Sequence, residues 1–119
     1  MFYKQEIGQN GENVAEDYLK NAGYNIIIRN FRSNQGEIDI IAIDKQEIVF
    51  IEVKTRSNLK YGTPSEAVNQ NKQNHIKNVA KYYIHVNHLY NCFIRFDVIE
   101  VYYSNGKYRV NHIKQAIDY

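Results

Sequence analysis

Residues 36–56 read GEIDIIAIDKQEIVFIEVKTR, two apolar runs separated by the short polar segment Asp44-Lys45-Gln46. Both runs are rich in isoleucine and valine, which favour β-strands. The pattern predicts a hairpin with strands over residues 37–43 and 47–55. Both strands are apolar enough to be inner strands of a sheet, so the charges within them would lie among buried side chains.

The turn between the predicted strands decides how four of the charged residues in the hairpin are placed. Side chains alternate between the two faces of a strand, so Glu37 shares a face with Asp39, and Glu52 shares one with Lys54. A two-residue turn at 45–46 would place Asp39 opposite Glu52. The same turn would place Glu37 opposite Lys54. A two-residue turn one position earlier also keeps all four on one face, whereas a three-residue turn separates the two sets.

The remaining elements are predicted from periodicity and from turn residues. A helix over residues 8–21 ends at Gly23, and a short strand over 24–30 leads into a turn at 32–36. The segment Thr63-Pro64-Ser65-Glu66 is typical of a helix start, and the helical region continues to about residue 85. Strands over 93–103 and 108–113 flank the turn Asn105-Gly106. This order predicts an α/β domain of two or three layers, with a mixed sheet flanked by helices.

Length and composition narrow the class of protein. The 119 residues suit one domain spanning residues 1–119, with 44% hydrophobic and 24% charged residues. The single cysteine, Cys92, excludes an internal disulfide and a cysteine-based zinc site. The first ten residues do not resemble a signal peptide, and no apolar run approaches the ~20 residues that a membrane helix needs. We therefore expect a cytoplasmic protein without membrane association.

The charges are unevenly distributed along the chain. Residues 1–53 contain five Lys/Arg and nine Asp/Glu, whereas residues 54–81 contain six Lys/Arg and one Glu. An acidic part beside a basic part suits a metal-assisted phosphodiesterase, which needs carboxylates for a cation and basic residues for phosphates. The alternative interpretation is that the basic stretch is a solvated helix face.

The hairpin carboxylates suggest the chemistry of the site. Asp39 and Glu52 would repel each other on an apolar sheet unless a positive charge lay between them. Magnesium binds oxygen ligands of this kind, and Lys54 would reach the same site as a point charge. The alternative is an ion-pair network of these residues that only holds the hairpin together.

Several motifs, taken together and in this order, resemble the bacterial YraN-like family over nearly the whole chain. They are Gly11-Glu12 with Ala15, Arg29-Asn30-Phe31-Arg32, residues 36–42, residues 49–56, Lys72-Gln73 and Arg95-Phe96-Asp97-Val98. The family is regarded as a group of predicted nucleases with a restriction-endonuclease-like fold, similar to archaeal Holliday-junction resolvases. The resemblance implies a D-(x)n-E-x-K active site formed by Asp39, Glu52 and Lys54. It also implies that Glu12, from the first helix, joins this site.

Our first hypothesis is therefore a magnesium- or manganese-dependent endonuclease acting on DNA, with branched DNA as one candidate substrate. The cation would be held by Asp39, Glu52 and the Val53 carbonyl. A second hypothesis is a non-catalytic nucleic-acid-binding protein on the same fold. A homodimer is an open alternative to a monomer. The predicted nucleic-acid contacts are Arg32, Arg56, Lys60, Lys72, Gln73 and Lys77.

Other charged and titratable residues are predicted to have structural roles. Arg95 and Asp97, at the start of a long strand, are expected to form an ion pair. The four histidines lack the close spacing of a metal site and are interpreted as surface or packing residues.

Overall fold

The computed structural model describes residues 4–56 and 70–117, with side chains from residue 11 onward. Within these residues, two helices and five strands follow one another in the predicted order. Their bounds are α1 Lys4–Asn21, β1 Asn25–Ser33, β2 Gly36–Asp44, β3 Glu47–Arg56, α2 Gln70–Val86, β4 Phe93–Ser104 and β5 Lys107–Ile113. The predicted helix start at residues 63–66, like Lys60, lies outside the described residues.

The five strands form one mixed sheet in the order β1-β2-β3-β4-β5. Neighbouring strands are antiparallel except β3 and β4, which run parallel. A parallel pair needs a crossover connection, and α2 lies in the connection between β3 and β4. The hairpin strands β2 and β3 are both inner strands, as their apolar sequences predicted.

Each face of the sheet is covered by one helix. Ala15 and Leu19 of α1 join a buried cluster with residues such as Ile40, Ile51 and Ile99. On the other face, α2 packs against a second cluster of buried residues: Ile38, Ile41, Ile48, Phe50, Ile76, Val79, Ala80, Tyr83, Phe96, Val98 and Ile117. The α/β class is therefore confirmed, and of the two predicted arrangements the three-layer one is present. Neither described helix has the length and apolar composition that crossing a membrane requires.

Local sequence signals explain the end of α1 and the turn between β4 and β5. Gly23 has a φ of 95°, and the Tyr24 N–H donates to the Leu19 carbonyl, so α1 ends in the predicted glycine cap. Asn105 and Gly106 both have positive φ, which the predicted tight turn requires.

The predicted turn at residues 32–36 is too long. β1 continues to Ser33, and the turn contains only Asn34 and Gln35. The Ser33 hydroxyl accepts a hydrogen bond from the Gln35 N–H at 3.1 Å, so a polar side chain that suggested a loop instead closes a tight turn. α1 likewise begins at Lys4, earlier than predicted.

The predicted ion pair of Arg95 with Asp97 is confirmed and belongs to a larger buried network. Two guanidinium nitrogens of Arg95 donate to the two Asp97 oxygens, each at 2.9 Å. The same guanidinium also binds Asp44, Glu47 and Tyr24. Every contact joins residues near one end of the sheet, so the network fixes that end.

Gly11 sets the position of α1 relative to β3. It is buried, and a Cβ built on it would overlap the Thr55 hydroxyl and lie 3.0 Å from the Thr55 Cγ2. Only glycine allows this close approach of the helix to the strand. The approach places Glu12 beside the end of β3.

We predict that Gly11→Ala lowers the free energy of unfolding by about 1–2 kcal/mol, because overpacking outweighs the helix propensity of alanine. Urea denaturation measures the change. Adding Thr55→Ala should recover part of the loss, since only the Cβ at 3.1 Å then remains close. Strictly additive effects of the two substitutions would contradict the proposed contact.

Candidate active site

The hairpin of β2 and β3 opens at the end away from its turn. Of the turns that the sequence left open, the two-residue turn at residues 45–46 is present, because Asp44 pairs with Glu47. Backbone pairing between the two strands continues to Ile40 opposite Ile51 and ends there. Beyond this point β2 stays paired with β1, and β3 stays paired with β4. The inner strands therefore separate at Asp39 and Glu52, the positions next to the last pair.

Asp39 is the first residue of β2 beyond the last pair. It is 8% exposed, and its Oδ2 accepts a hydrogen bond from the Val53 N–H at 2.8 Å. Burial raises the pKa of Asp39 to about 7, and the charge of Glu52 adds to this increase. A positive charge close to such a carboxyl stabilises its ionised form.

Glu52 is the matching residue of β3 and is 9% exposed. Its Oε1 lies 3.7 Å from the Nζ of Lys54 and 3.0 Å from the Nζ of Lys72. Lys54 follows two residues later on the same strand, whereas Lys72 reaches the carboxylate from α2. One buried oxygen is therefore shared by two ammonium groups from different elements.

The two lysines influence each other's protonation. Burial lowers the pKa of Lys54, and the neighbouring Lys72 lowers it further, while the charge of Glu52 opposes both effects. Burial also disfavours the charged form of Lys72, but contacts with Lys54 and Glu52 raise its pKa above the ordinary value. Lys72 therefore keeps its proton more firmly than Lys54.

A cavity of about 400 Å³ lies over the carboxylates. Its lining comes from β2, β3 and α2: Gly36, Glu37, Asp39, Glu52, Asn71, Lys72, His75 and Ile76. This volume falls in the range of small-ligand sites. The predicted convergence of the hairpin carboxylates on one cavity is thus present.

Glu12 lies near the carboxylate pair, on α1. Its Oε1 accepts a hydrogen bond from the Arg29 Nη2 at 3.1 Å. Its negative charge is close enough to contribute to the raised pKa of Asp39. The structure therefore brings Glu12 to the site, and its contact with a cation stays a prediction.

Glu37 does not form the predicted pair with Lys54. It lines the cavity, but its carboxylate makes an ion pair with Arg32, on the neighbouring strand β1. The separation of β2 from β3 explains the difference, because residues of β2 beyond Asp39 face β1 partners and no longer face β3.

Four of the predicted nucleic-acid contacts lie on or next to residues of this site. Arg32 is bound to Glu37 of the lining and exposes most of its side chain. Arg56 follows Lys54 on β3, and its charge helps to lower the pKa of Lys54. Lys72 contacts Glu52, and Gln73 is its neighbour on α2.

Lys77 is placed elsewhere. With Lys81 it lines a second cavity, of about 380 Å³, whose other lining residues include Ile84 and Phe96. Its contact with nucleic acid stays a prediction, but it is not part of the cavity over Asp39.

Sequence reasoning missed two cavity residues and one contact of a third. Asn71 and His75 line the cavity, although His75 was interpreted only as a surface or packing residue. Lys72 contacts Glu52, a partner that the sequence did not indicate, and its predicted contact with nucleic acid stays a prediction. Helical spacing contains the signal, since Lys72 continues by one turn the buried stripe that begins at Ile76.

The donor atoms of the site suit a magnesium or manganese ion. In residues 4–56 and 70–117, no group of three His, Cys, Asp or Glu side chains is arranged to hold a metal. Zinc commonly needs three or four protein ligands, whereas magnesium takes one or two carboxylates and completes its shell with water and phosphate. Asp39 and Glu52 supply such carboxylates. The Val53 N–H points toward Asp39 of β2. Because the carbonyl of a strand residue faces the same side as its N–H, the Val53 carbonyl also faces β2.

The chain is similar over nearly its whole length to proteins of one family. The model of the uncharacterised protein family UPF0102 matches residues 11–101. A UPF0102 protein of Caldicellulosiruptor saccharolyticus is 50% identical over 115 residues, which cover 95% of this chain and 98% of the relative. A UPF0102 protein of Clostridium botulinum is 52% identical over 118 residues, covering 97% and 96%. One of Carboxydothermus hydrogenoformans is 43% identical over 116 residues, covering 98% of each chain.

The raised pKa of Asp39 predicts an unusual dependence of stability on pH. Native Asp39 resists ionisation, whereas in the unfolded chain it ionises near its ordinary value of 3.8. Without divalent cation, the free energy of unfolding should therefore fall as pH rises from about 4 to about 7. Asp39→Asn keeps an acceptor for Val53 and removes the charge. At about pH 8 it should be more stable than wild type by about 2–4 kcal/mol, with no gain near pH 3.

Asp97→Asn serves as the contrasting variant in the same denaturation series. Burial works against its charge, but hydrogen bonds from His112 and Arg95 lower the pKa of Asp97. A lowered pKa stabilises the native state above the ordinary pKa, and this contribution is lost as pH falls. Asp97→Asn should therefore destabilise the protein at neutral pH. A loss of stability of Asp39→Asn at pH 8 equal to that of Asp97→Asn would contradict the assignment of Asp39.

Proposed function

The chain belongs to the YraN-like family UPF0102, and from this premise we propose that it is a metal-dependent endonuclease that hydrolyses DNA phosphodiester bonds. One observation carries the proposal: Asp39 and Glu52 are buried together at the open end of the hairpin, with Lys54 beside them. A purely structural hairpin has no need of two buried carboxylates facing an open cavity. Branched DNA is one candidate substrate.

Asp39, Glu52 and the Val53 carbonyl would hold a magnesium or manganese ion. When bound, the cation supplies positive charge beside the phosphoryl group and makes water a better nucleophile. The ionised form of Asp39 becomes favourable next to such a charge, which offsets the burial that raises its pKa. The cost of burying ionised Asp39 is then offset in the loaded site.

Lys54 would act on the phosphate. Its side chain is 14% exposed and lies 3.7 Å from the Glu52 carboxylate, and the charges of Lys72 and Arg56 are close enough to lower its pKa. From this position its ammonium can stabilise the negative charge that develops on the phosphoryl oxygens during attack by water. Its main contribution would be to the transition state, so its loss should affect cleavage more than binding.

The second candidate is a nucleic-acid-binding protein without catalysis. The observation that favours it is the pair of ammonium groups on Glu52, which neutralises one carboxylate without a cation. It does not explain Asp39, whose charge remains disfavoured. The two candidates differ in a single outcome, the hydrolysis of DNA in the presence of a divalent cation.

We predict that the purified protein cuts DNA only when Mg²⁺ or Mn²⁺ is present. Linear duplex, single-stranded DNA and a four-way junction, each end-labelled, should be incubated with the protein with and without the cation. Asp39→Asn and Lys54→Met should each lower the rate of cleavage about 100-fold or more, because each removes a charge from the reacting centre. Gel electrophoresis measures the rate.

Asp17→Asn is the matched control for this experiment, because Asp17 is exposed and lies on α1 away from the cavity lining. It should cut as fast as wild type. Equal activity of Asp39→Asn and wild type would reveal a contaminating nuclease and contradict the assignment. Tight binding of all three DNAs without cleavage would favour the non-catalytic alternative.

The predicted nucleic-acid contacts imply a salt dependence of DNA binding. The double variant Arg32→Gln, Lys77→Gln should reduce the slope of log affinity against log salt by about two, one for each lost phosphate contact. Lys45→Asn is the control, because Lys45 lies in the turn at the opposite end of the hairpin and asparagine tolerates its positive φ. Fluorescence anisotropy at several salt concentrations measures the slope. An unchanged slope in the double variant would move the DNA-binding surface elsewhere.

A further inference from the structure

Lys72 lies closer to Glu52 than the strand lysine does. Its Nζ is 3.0 Å from the Glu52 Oε1, whereas the Nζ of Lys54 is 3.7 Å from the same atom. Lys72 comes from α2 and lines the cavity together with Asp39. The Lys72 ammonium therefore occupies the side of Glu52 that faces the cavity.

A divalent cation bound by Asp39 and Glu52 would need this same side. Two positive charges repel strongly at such short range in a partly buried site. The ammonium and the cation would therefore compete for Glu52, and binding of one weakens binding of the other.

The two lysines differ in their freedom to give way. The Lys54 side chain is 14% exposed, and its strand is paired with β4 through the site. The Lys72 side chain is 41% exposed and extends from the first turn of α2, which spans Gln70–Val86. A long, flexible and partly solvated side chain can move by several ångströms without disturbing the core.

We propose that Lys72 is a place-holding cation. Its ammonium group neutralises Glu52 until a divalent cation binds, and then moves to a phosphate of the nucleic acid. This inference rests on the proposed function, since it presumes a cation site at Asp39 and Glu52. It assigns Lys72 two successive partners, Glu52 and a phosphate, whereas a fixed structural ion pair has only one. It also couples the two ligands, because the cation releases the lysine that the phosphate uses.

Calorimetric titration with Mn²⁺ tests the first half of the proposal. Lys72→Met should bind Mn²⁺ on the order of tenfold more tightly than wild type, because the competing charge is gone. Lys81→Met, an exposed lysine on the same helix with the same change of net charge, should bind as wild type does. Lys72→Arg keeps the competing charge and should also retain the wild-type affinity.

DNA affinity in Ca²⁺, a cation with the same preference for oxygen ligands, tests the second half. Adding Ca²⁺ should raise the affinity of wild type and Lys81→Met for a short duplex about tenfold more than that of Lys72→Met. An equal gain in all three proteins would overturn the transfer to phosphate.

The outcomes separate this inference from the function on which it rests. Equal Mn²⁺ affinity of wild type and Lys72→Met would overturn the place-holding role and leave the cation site intact. If neither protein bound Mn²⁺, both the cation site and the role of Lys72 would be overturned. Thermal denaturation of each variant confirms that the affinities are compared between folded proteins.

Discussion

The burial of two carboxylates at the open end of a hairpin is the constraint on which this structure depends. Asp39 and Glu52 are both nearly inaccessible to solvent, and burial together with the charge of Glu52 raises the pKa of Asp39. Lys54 and Lys72 supply that charge to Glu52. Asp39 receives only the Val53 N–H among the hydrogen bonds of the described residues, and its pKa stays raised. Asp39 faces the cavity, where a bound cation can offset its unfavourable ionisation.

The other end of the sheet shows how the same fold buries charge for stability alone. There Arg95 is surrounded by acceptors that match its donors, and Asp97 accepts hydrogen bonds from Arg95, His112 and the Gln115 N–H. These bonds lower the pKa of Asp97 despite its burial. A satisfied charge network and an unsatisfied one thus share a single sheet. The difference between them, more than the presence of acidic residues, separates scaffold from candidate site.

Helix α2 links the fold to the chemistry of the site. Its apolar stripe, which includes Ile76, Val79 and Tyr83, packs against the sheet and fixes the helix over the hairpin. One turn earlier the same stripe ends in Lys72, where the sheet opens and apolar residues give way to the carboxylates. The parallel pairing of β3 with β4 requires a crossover of this kind. The topology that completes the sheet therefore also delivers the second positive charge.

Sequence alone determined the order of the elements, the hairpin and the glycine cap of α1, because these features follow from local periodicity and short-range turn geometry. It also indicated Asp39, Glu52 and Lys54 as charged residues within apolar strands, whose role in a site stays a prediction. It left open which turn joins the two strands. It could not determine where β2 and β3 separate, since either strand could have continued pairing. The tertiary structure decided that separation. It also pairs Glu37 with Arg32, and it brings Lys72 of α2 into contact with Glu52. Contacts between residues distant in sequence depend on how helices pack on a sheet, and no local pattern encodes that packing.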